Sequence, residues 1–182
     1  HTRFITVSWL GDVYKRQSYD KPEGSELSEI TDTHKLYFHK LGEVQKNDSL
    51  VFGGEDLQKF RYVSGNVTED EKYLIISATN STTGNYLFFK DLETMDAQIE
   101  TILDDSSSDA YVIDHHDENF LIVTDRNAPN TKIVSAPVKN PTPDYWIDFI
   151  SEKDSPMTVS LGGNYIFVEY MEHALSTVSQ FN

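Results

Sequence analysis

Apolar and polar residues alternate in short runs along nearly the whole chain. The runs are rich in Val, Ile, Tyr, Phe and Thr and are separated by Gly, Asn, Asp and Pro. Alternation with period two places one set of side chains on each face of an extended segment, and β-branched and aromatic residues suit that pleated surface, so the pattern predicts β-strands from end to end. The best helix candidate is "DLETMDAQIETIL" (91–103). Its β-branched apolar ending suits an outer strand equally well, and it is read as a turn followed by a strand.

The strands repeat. "VTEDEKYLIISATN" (67–80), "IDHHDENFLIVTDRN" (113–127) and "VSLGGNYIFVEYME" (159–172) each carry a β residue, a polar turn, an aromatic and an apolar strand. Tyr73, Phe120 and Tyr165 mark this element at spacings of 47 and 45 residues. A second element follows each, as "NYLFFKDLE" (85–93), "TKIVSAPVK" (131–139) and "ALSTVSQFN" (174–182), and appears earlier as "HKLYFHKLG" (34–42). A period of about 40–50 residues holding four short strands is the signature of a β-propeller blade. The fold class expected is therefore all-β: a partial β-propeller of about three and a half to four blades, each a four-stranded antiparallel sheet. The 1–182 span reads as a fragment of one propeller domain, with blade units at about 4–52, 61–103, 109–150 and 156–182. The second unit divides into strands at roughly 61–67, 72–77, 86–91 and 99–103. A ring hides its sheet edges only when closed, so the chain is expected to be part of a longer protein. Leu74, Ile76, Leu121, Val123, Ile166 and Val168 share one phase after the aromatic and are expected on buried faces between sheets.

Thirty acidic residues against fifteen basic give a net charge of -15. Such a chain repels a phosphate backbone, which argues against nucleic acid and anionic membranes as partners. There is no cysteine, which removes disulfides, thiolate metal sites and a cysteine nucleophile but leaves the compartment open. No apolar run approaches the roughly 20 residues of a membrane span, and no signal-peptide pattern opens the chain. Cytoplasmic and periplasmic placements both stay open.

Candidate chemistry is sparse. His115 and His116 in "VIDHHDENFLIVTD" suggest a metal site. They fall at the tight connection between the first two strands of a blade, however, and adjacent residues of an extended segment point to opposite faces. "DHHDEN" also lacks the glycine and terminal glutamate of a calcium loop. A solvated turn is the reading, with no metal and no cofactor expected. "DDSSSD" (104–109) is a connection between blades, and the glycosylation sequons at Asn47, Asn66 and Asn80 carry no weight. No Gly-x-Ser-x-Gly elbow, phosphate-binding glycine loop or His-Glu-x-x-His motif occurs, so no catalytic residue is assigned.

"SYDKPEGSELSEITDTHKLYFHKLGEVQKNDSLVFGG" (18–54), "TEDEKYLIIS", "YLFFKDL" and "TDRNAPNTKIVSAPV" (124–138) together resemble the prolyl oligopeptidase family of serine peptidases. The resemblance runs from about residue 4 to the end. It implies a seven-bladed propeller capping an α/β-hydrolase domain of the same chain, which holds the catalytic triad beyond residue 182. It further implies a parent enzyme, a serine-type endopeptidase, that cleaves after proline in short peptides, with the propeller excluding folded proteins. The fragment alone is expected to be inactive. Four loops joining second and third strands, 18–34, 78–85, 124–131 and 170–174, are expected on the face that meets the catalytic domain. The first is much the longest, and Tyr19, Pro22, Glu23, Gly24, Glu26, Thr31 and Asp32 are its candidate substrate-gating residues, with a merely tolerated insertion as the alternative. Thr79 and Thr82 are candidates in the second loop.

Two departures qualify the resemblance. Family members carry an arginine and a cysteine facing the substrate where this chain has "ATNSTTGN" (78–85). "VYKRQ" (13–17) replaces an aromatic strand, resembles translated adapter sequence, and is expected to be non-native, with Lys15, Arg16 and Gln17 spoiling a buried strand. Other functional classes fit a propeller as well, namely a kelch-like scaffold that binds a ligand or protein and a metal-dependent lactonase, because fold does not fix function. A serine elbow downstream, followed by Asp and then His, separates the peptidase from both.

Overall fold

The computed structural model describes residues 5–10, 13–19, 33–54, 59–163 and 165–181. Two compact units divide the chain, residues 1–106 and 107–182. In the first unit, β1 (Ile5–Leu10), β2 (Val13–Tyr19), β3 (His34–Lys40) and β4 (Ser49–Phe52) form one sheet in chain order. The next sheet contains β5 (Tyr62–Val67), β6 (Tyr73–Thr79), β7 (Tyr86–Asp91) and β8 (Glu100–Leu103). In the second unit, β9 (Ala110–His116), β10 (Asn119–Thr124), β11 (Lys132–Pro137) and β12 (Ile147–Ile150) make the third sheet. The last has three strands, β13 (Met157–Gly162), β14 (Tyr165–Glu172) and β15 (Leu175–Phe181). All neighbours pair antiparallel. The architecture is that of a partial propeller, each sheet a blade with strands lettered A to D in chain order.

The 91–103 segment forms a turn and then the outer strand β8. Asp91 starts the turn by accepting hydrogen bonds from the Thr94 hydroxyl at 2.7 Å and the Glu93 N–H at 2.8 Å. Those bonds hold its carboxyl below the ordinary range, the Thr94 hydroxyl contributing most. They also offer the backbone an alternative to a helical turn.

Burial follows the alternation. In the first unit Leu36 and Phe52 of one sheet pack against Phe60, Val63, Leu74, Ile76 and Ala78 of the next. Phe52, Phe60, Tyr86 and Phe88 add an aromatic group with centroids 5.0 to 6.4 Å apart. In the second unit Leu121, Val123, Ile133 and Ile150 face Met157, Ile166, Val168 and Tyr170. Each fully buried aliphatic side chain contributes about 1.5–3 kcal/mol relative to exposure.

All six residues expected on buried faces are buried. Their common phase is corrected. Leu74 and Ile76 face the preceding sheet, as do Ile166 and Val168, whereas Leu121 and Val123 face the following one. Equivalent positions of a rotational repeat cannot face each other, so the counterparts in the third blade are Phe120 and Ile122, both fully buried on the opposite face. Leu74, Phe120 and Ile166 then recur at intervals of 46 and 46 residues. The marker slipped because β10 is buried on both faces, and a strand without a polar face gives its sequence no phase.

Two further expectations change. His115 and His116 are the last residues of β9 rather than the turn itself, which falls at Asp117, with φ 52°, and Glu118. His116 is 82% exposed with its Nε2 3.5 Å from Asp117, while His115 pairs across the ladder with Phe120. Among the described residues no three His, Cys, Asp or Glu side chains gather as metal ligands. The backbone at 13–17, expected to be spoiled as a strand, lies within β2, with Lys15 opposite Phe38 and Gln17 opposite Leu36. β3 pairs with it in continuous register and β1 pairs with it on the other side through an irregular one, and tertiary pairing overrides weak local propensity.

Candidate functional site

Antiparallel order brings the B–C connection of each blade and the approach to its strand A to the same end of the sheet. Side chains tie them together. In the second blade Asn80, just past β6, accepts a hydrogen bond from the Arg61 N–H at 2.8 Å and donates to the Lys59 carbonyl at 3.2 Å. In the third, the Thr124 hydroxyl donates to the Asp109 carbonyl at 2.7 Å and the Asp125 carboxylate accepts from the Asp109 N–H at 2.7 Å. An Asx following the Thr that ends strand B thus clasps the approach to strand A in both blades, and in the third the Thr hydroxyl joins it. That clasp was visible in "SATN" and "VTDRN", but the dipeptide is too common to signal without coordinates. The approach to the fourth blade is fixed by Asn130, whose N–H donates to Glu152 at 2.6 Å and whose side-chain amide donates to the Lys153 carbonyl at 3.0 Å.

Of the candidate gating residues, Tyr19 ends β2 opposite His34, while Pro22, Glu23, Gly24, Glu26, Thr31 and Asp32 lie outside the described residues. Thr79 ends β6. Its hydroxyl donates to the Gly84 carbonyl at 2.7 Å and accepts from the Ser81 N–H at 3.1 Å, so it shapes its own loop. Thr82 is exposed on the same loop.

Sequence reasoning passed over His34, the first residue after the long loop to be held in a strand. Its N–H donates to the Phe60 carbonyl at 2.9 Å, and its ring meets Tyr62 edge-on at 5.8 Å. Burial holds the imidazole below its ordinary value of 6.5. The fold thus favours the neutral ring, so this contribution to stability is complete above 6.5 and is lost as pH falls through that value to the lower folded one. Proton NMR of the imidazole is expected to give a midpoint below 6.5, and His34→Gln should flatten the fall in melting temperature between about pH 7.5 and about pH 5. An ordinary midpoint would contradict the burial argument.

The family model for the prolyl oligopeptidase N-terminal β-propeller domain matches residues 1–182. The chain belongs to that family. It is 44% identical to a prolyl endopeptidase of Elizabethkingia miricola, over 99% of this chain and 26% of that protein. A prolyl endopeptidase of Elizabethkingia meningoseptica is 41% identical over the same shares. The chain spans about a quarter of the length of these curated relatives. Among solved structures, prolyl oligopeptidase B of Galerina marginata bound to a 35mer substrate superposes with a TM-score of 0.81 at 19% identity, over all of this chain and 26% of that one. A structure of prolyl endopeptidase gives 0.80 at 16% identity, over 98% and 26%. These two share the fold.

Proposed function

We propose that the chain is the non-catalytic propeller portion of a prolyl endopeptidase. One observation carries this reading: a family match over the whole chain together with 44% identity to a named prolyl endopeptidase. In this reading the four sheets are consecutive blades of one ring, and an α/β-hydrolase domain of the same parent supplies serine, aspartate and histidine. Short proline-containing peptides are cleaved after proline, and the ring keeps folded proteins away from the nucleophile. The 20–32 segment, between Tyr19 and the strand begun by His34, gates entry, while Thr79 and Thr82 stand on the catalytic-domain side. The absence of any hydrolase elbow within the 182 residues agrees with a role in access rather than chemistry.

The test is kinetic. The full-length protein should hydrolyse a proline-containing reporter peptide in a reaction abolished by a serine-directed inhibitor, and the 182-residue chain alone should not. Deleting Pro22 to Ile30 from the full-length protein should change kcat/KM by on the order of tenfold with little change in melting temperature, as expected when a loop controls access. Absence of inhibitor-sensitive cleavage would overturn the peptidase reading. Unchanged kinetics on both short and long peptides would remove the gate and leave the loop a tolerated insertion.

A further inference from the structure

Between the third and fourth blades, at the end where their A–B hairpins turn, lies a cleft of about 150 Å³. Strand register explains its lining. Leu121 stands opposite Asp114 on one side and Ser135 on the other, and directly opposed residues share a face, so these three form a row across the sheet facing β14. Asn119 and His116 form the next opposed pair toward the turn. Phe149 of β12, 44% exposed, walls one side, and Ile166 of β14 closes the other. The outcome is an apolar floor with one carboxylate, one amide, the imidazole of His116 and the hydroxyls of Ser135 and Tyr165 at its margin.

Asp114 is the one carboxylate among the described lining residues, which include the His116 imidazole but no lysine or arginine. Asp114 Oδ1 accepts the His115 N–H at 2.8 Å, which fixes the carboxylate in place. The imidazole of His116 lies beside the Asp117 carboxylate on the exposed turn. A carboxylate at one margin of an apolar floor favours a cation with a hydrocarbon body, through a charge-assisted hydrogen bond at Asp114 and apolar contact further along the cleft, where Phe149 stands on the far edge strand. The volume admits about one benzene-sized group.

The geometry points to a binding site for a small organic ammonium ion, a single ring or short branched chain bearing one amine. The ammonium group lies at Asp114, and the hydrocarbon body rests on Leu121 and Ile166 against Phe149. The site is formed jointly by two blades, so an occupant fastens the third sheet to the fourth. It does not depend on the peptidase reading, and it sits at the hairpin end of the blades, opposite the B–C connections.

Benzylamine is the probe, with benzyl alcohol and benzoate as neutral and anionic controls. Saturation-transfer NMR on the full-length protein should show benzylamine binding with a dissociation constant on the order of 1 mM, typical of so small a ligand in an open cleft. Benzylamine should also raise the melting temperature, because it binds only the folded state. Asp114→Asn should weaken benzylamine about tenfold and abolish its preference over benzyl alcohol. Phe149→Ala should weaken it several-fold, and because that ring is partly exposed the variant keeps the test open should Asp114→Asn fold poorly. The assignment falls if benzylamine binds equally well to both variants, if benzoate binds as tightly, or if no binding is seen at several millimolar.

Discussion

Gly84→Val is expected to destabilise the first unit by more than about 3 kcal/mol, the range reached when backbone strain and overpacking coincide. Gly84 has φ +72°, a conformation that a β-branched residue adopts only at a cost, and a Cβ built there would overlap the carbonyl oxygen of Ser106. Neither obstacle is a flexible side chain that could move aside. The Gly84 carbonyl also receives the Thr79 hydroxyl at 2.7 Å, so a shift of the loop breaks the contact that shapes it. Gly42→Ala is the matching control. Gly42 has φ +82° but nothing within 4 Å of its position, and about 1 kcal/mol is expected there from conformation alone. Urea unfolding of both variants separates strain from clash. Similar midpoints for the two would show that the Ser106 contact yields.

The 182-residue polypeptide purified alone is expected to self-associate. β15 borders a three-stranded sheet, and its sequence, "LSTVSQF", contains none of the charges or prolines that blunt an exposed edge. Leu175 is 73% exposed, Met171 65% and Val178 59%. Val178 stands opposite Glu169 on the face turned away from the shared core, the face that also carries Phe167 and Met171. An unpaired apolar edge beside a part-apolar face is a template for another copy. Light scattering at micromolar concentration should report oligomers, and Val178→Lys should shift them toward monomer by placing a charge on the edge. A monodisperse wild-type chain with one cooperative unfolding transition would contradict this.

The amino-acid sequence by itself determined the strands and their turns. Alternation and turn-forming residues act between neighbours in the chain, and this is why β6, β7 and β8 appear close to where the pattern predicts them. It also determined that the repeat is a blade, since a four-strand period needs only counting. Tertiary structure decided which face meets which sheet. For β14, with Ile166, Val168 and Tyr170 buried and Tyr165 and Met171 exposed, alternation carried that information. For β10, buried on both faces, Phe120 and Leu121 look alike in sequence, and only packing against Ile166 tells them apart. The same holds for the strand at 13–17, whose polar residues are held in register by β3. It holds as well for the Asp114, Leu121 and Ser135 row, drawn from three strands. Contacts of this kind join residues distant in sequence, and no local pattern of side chains records them.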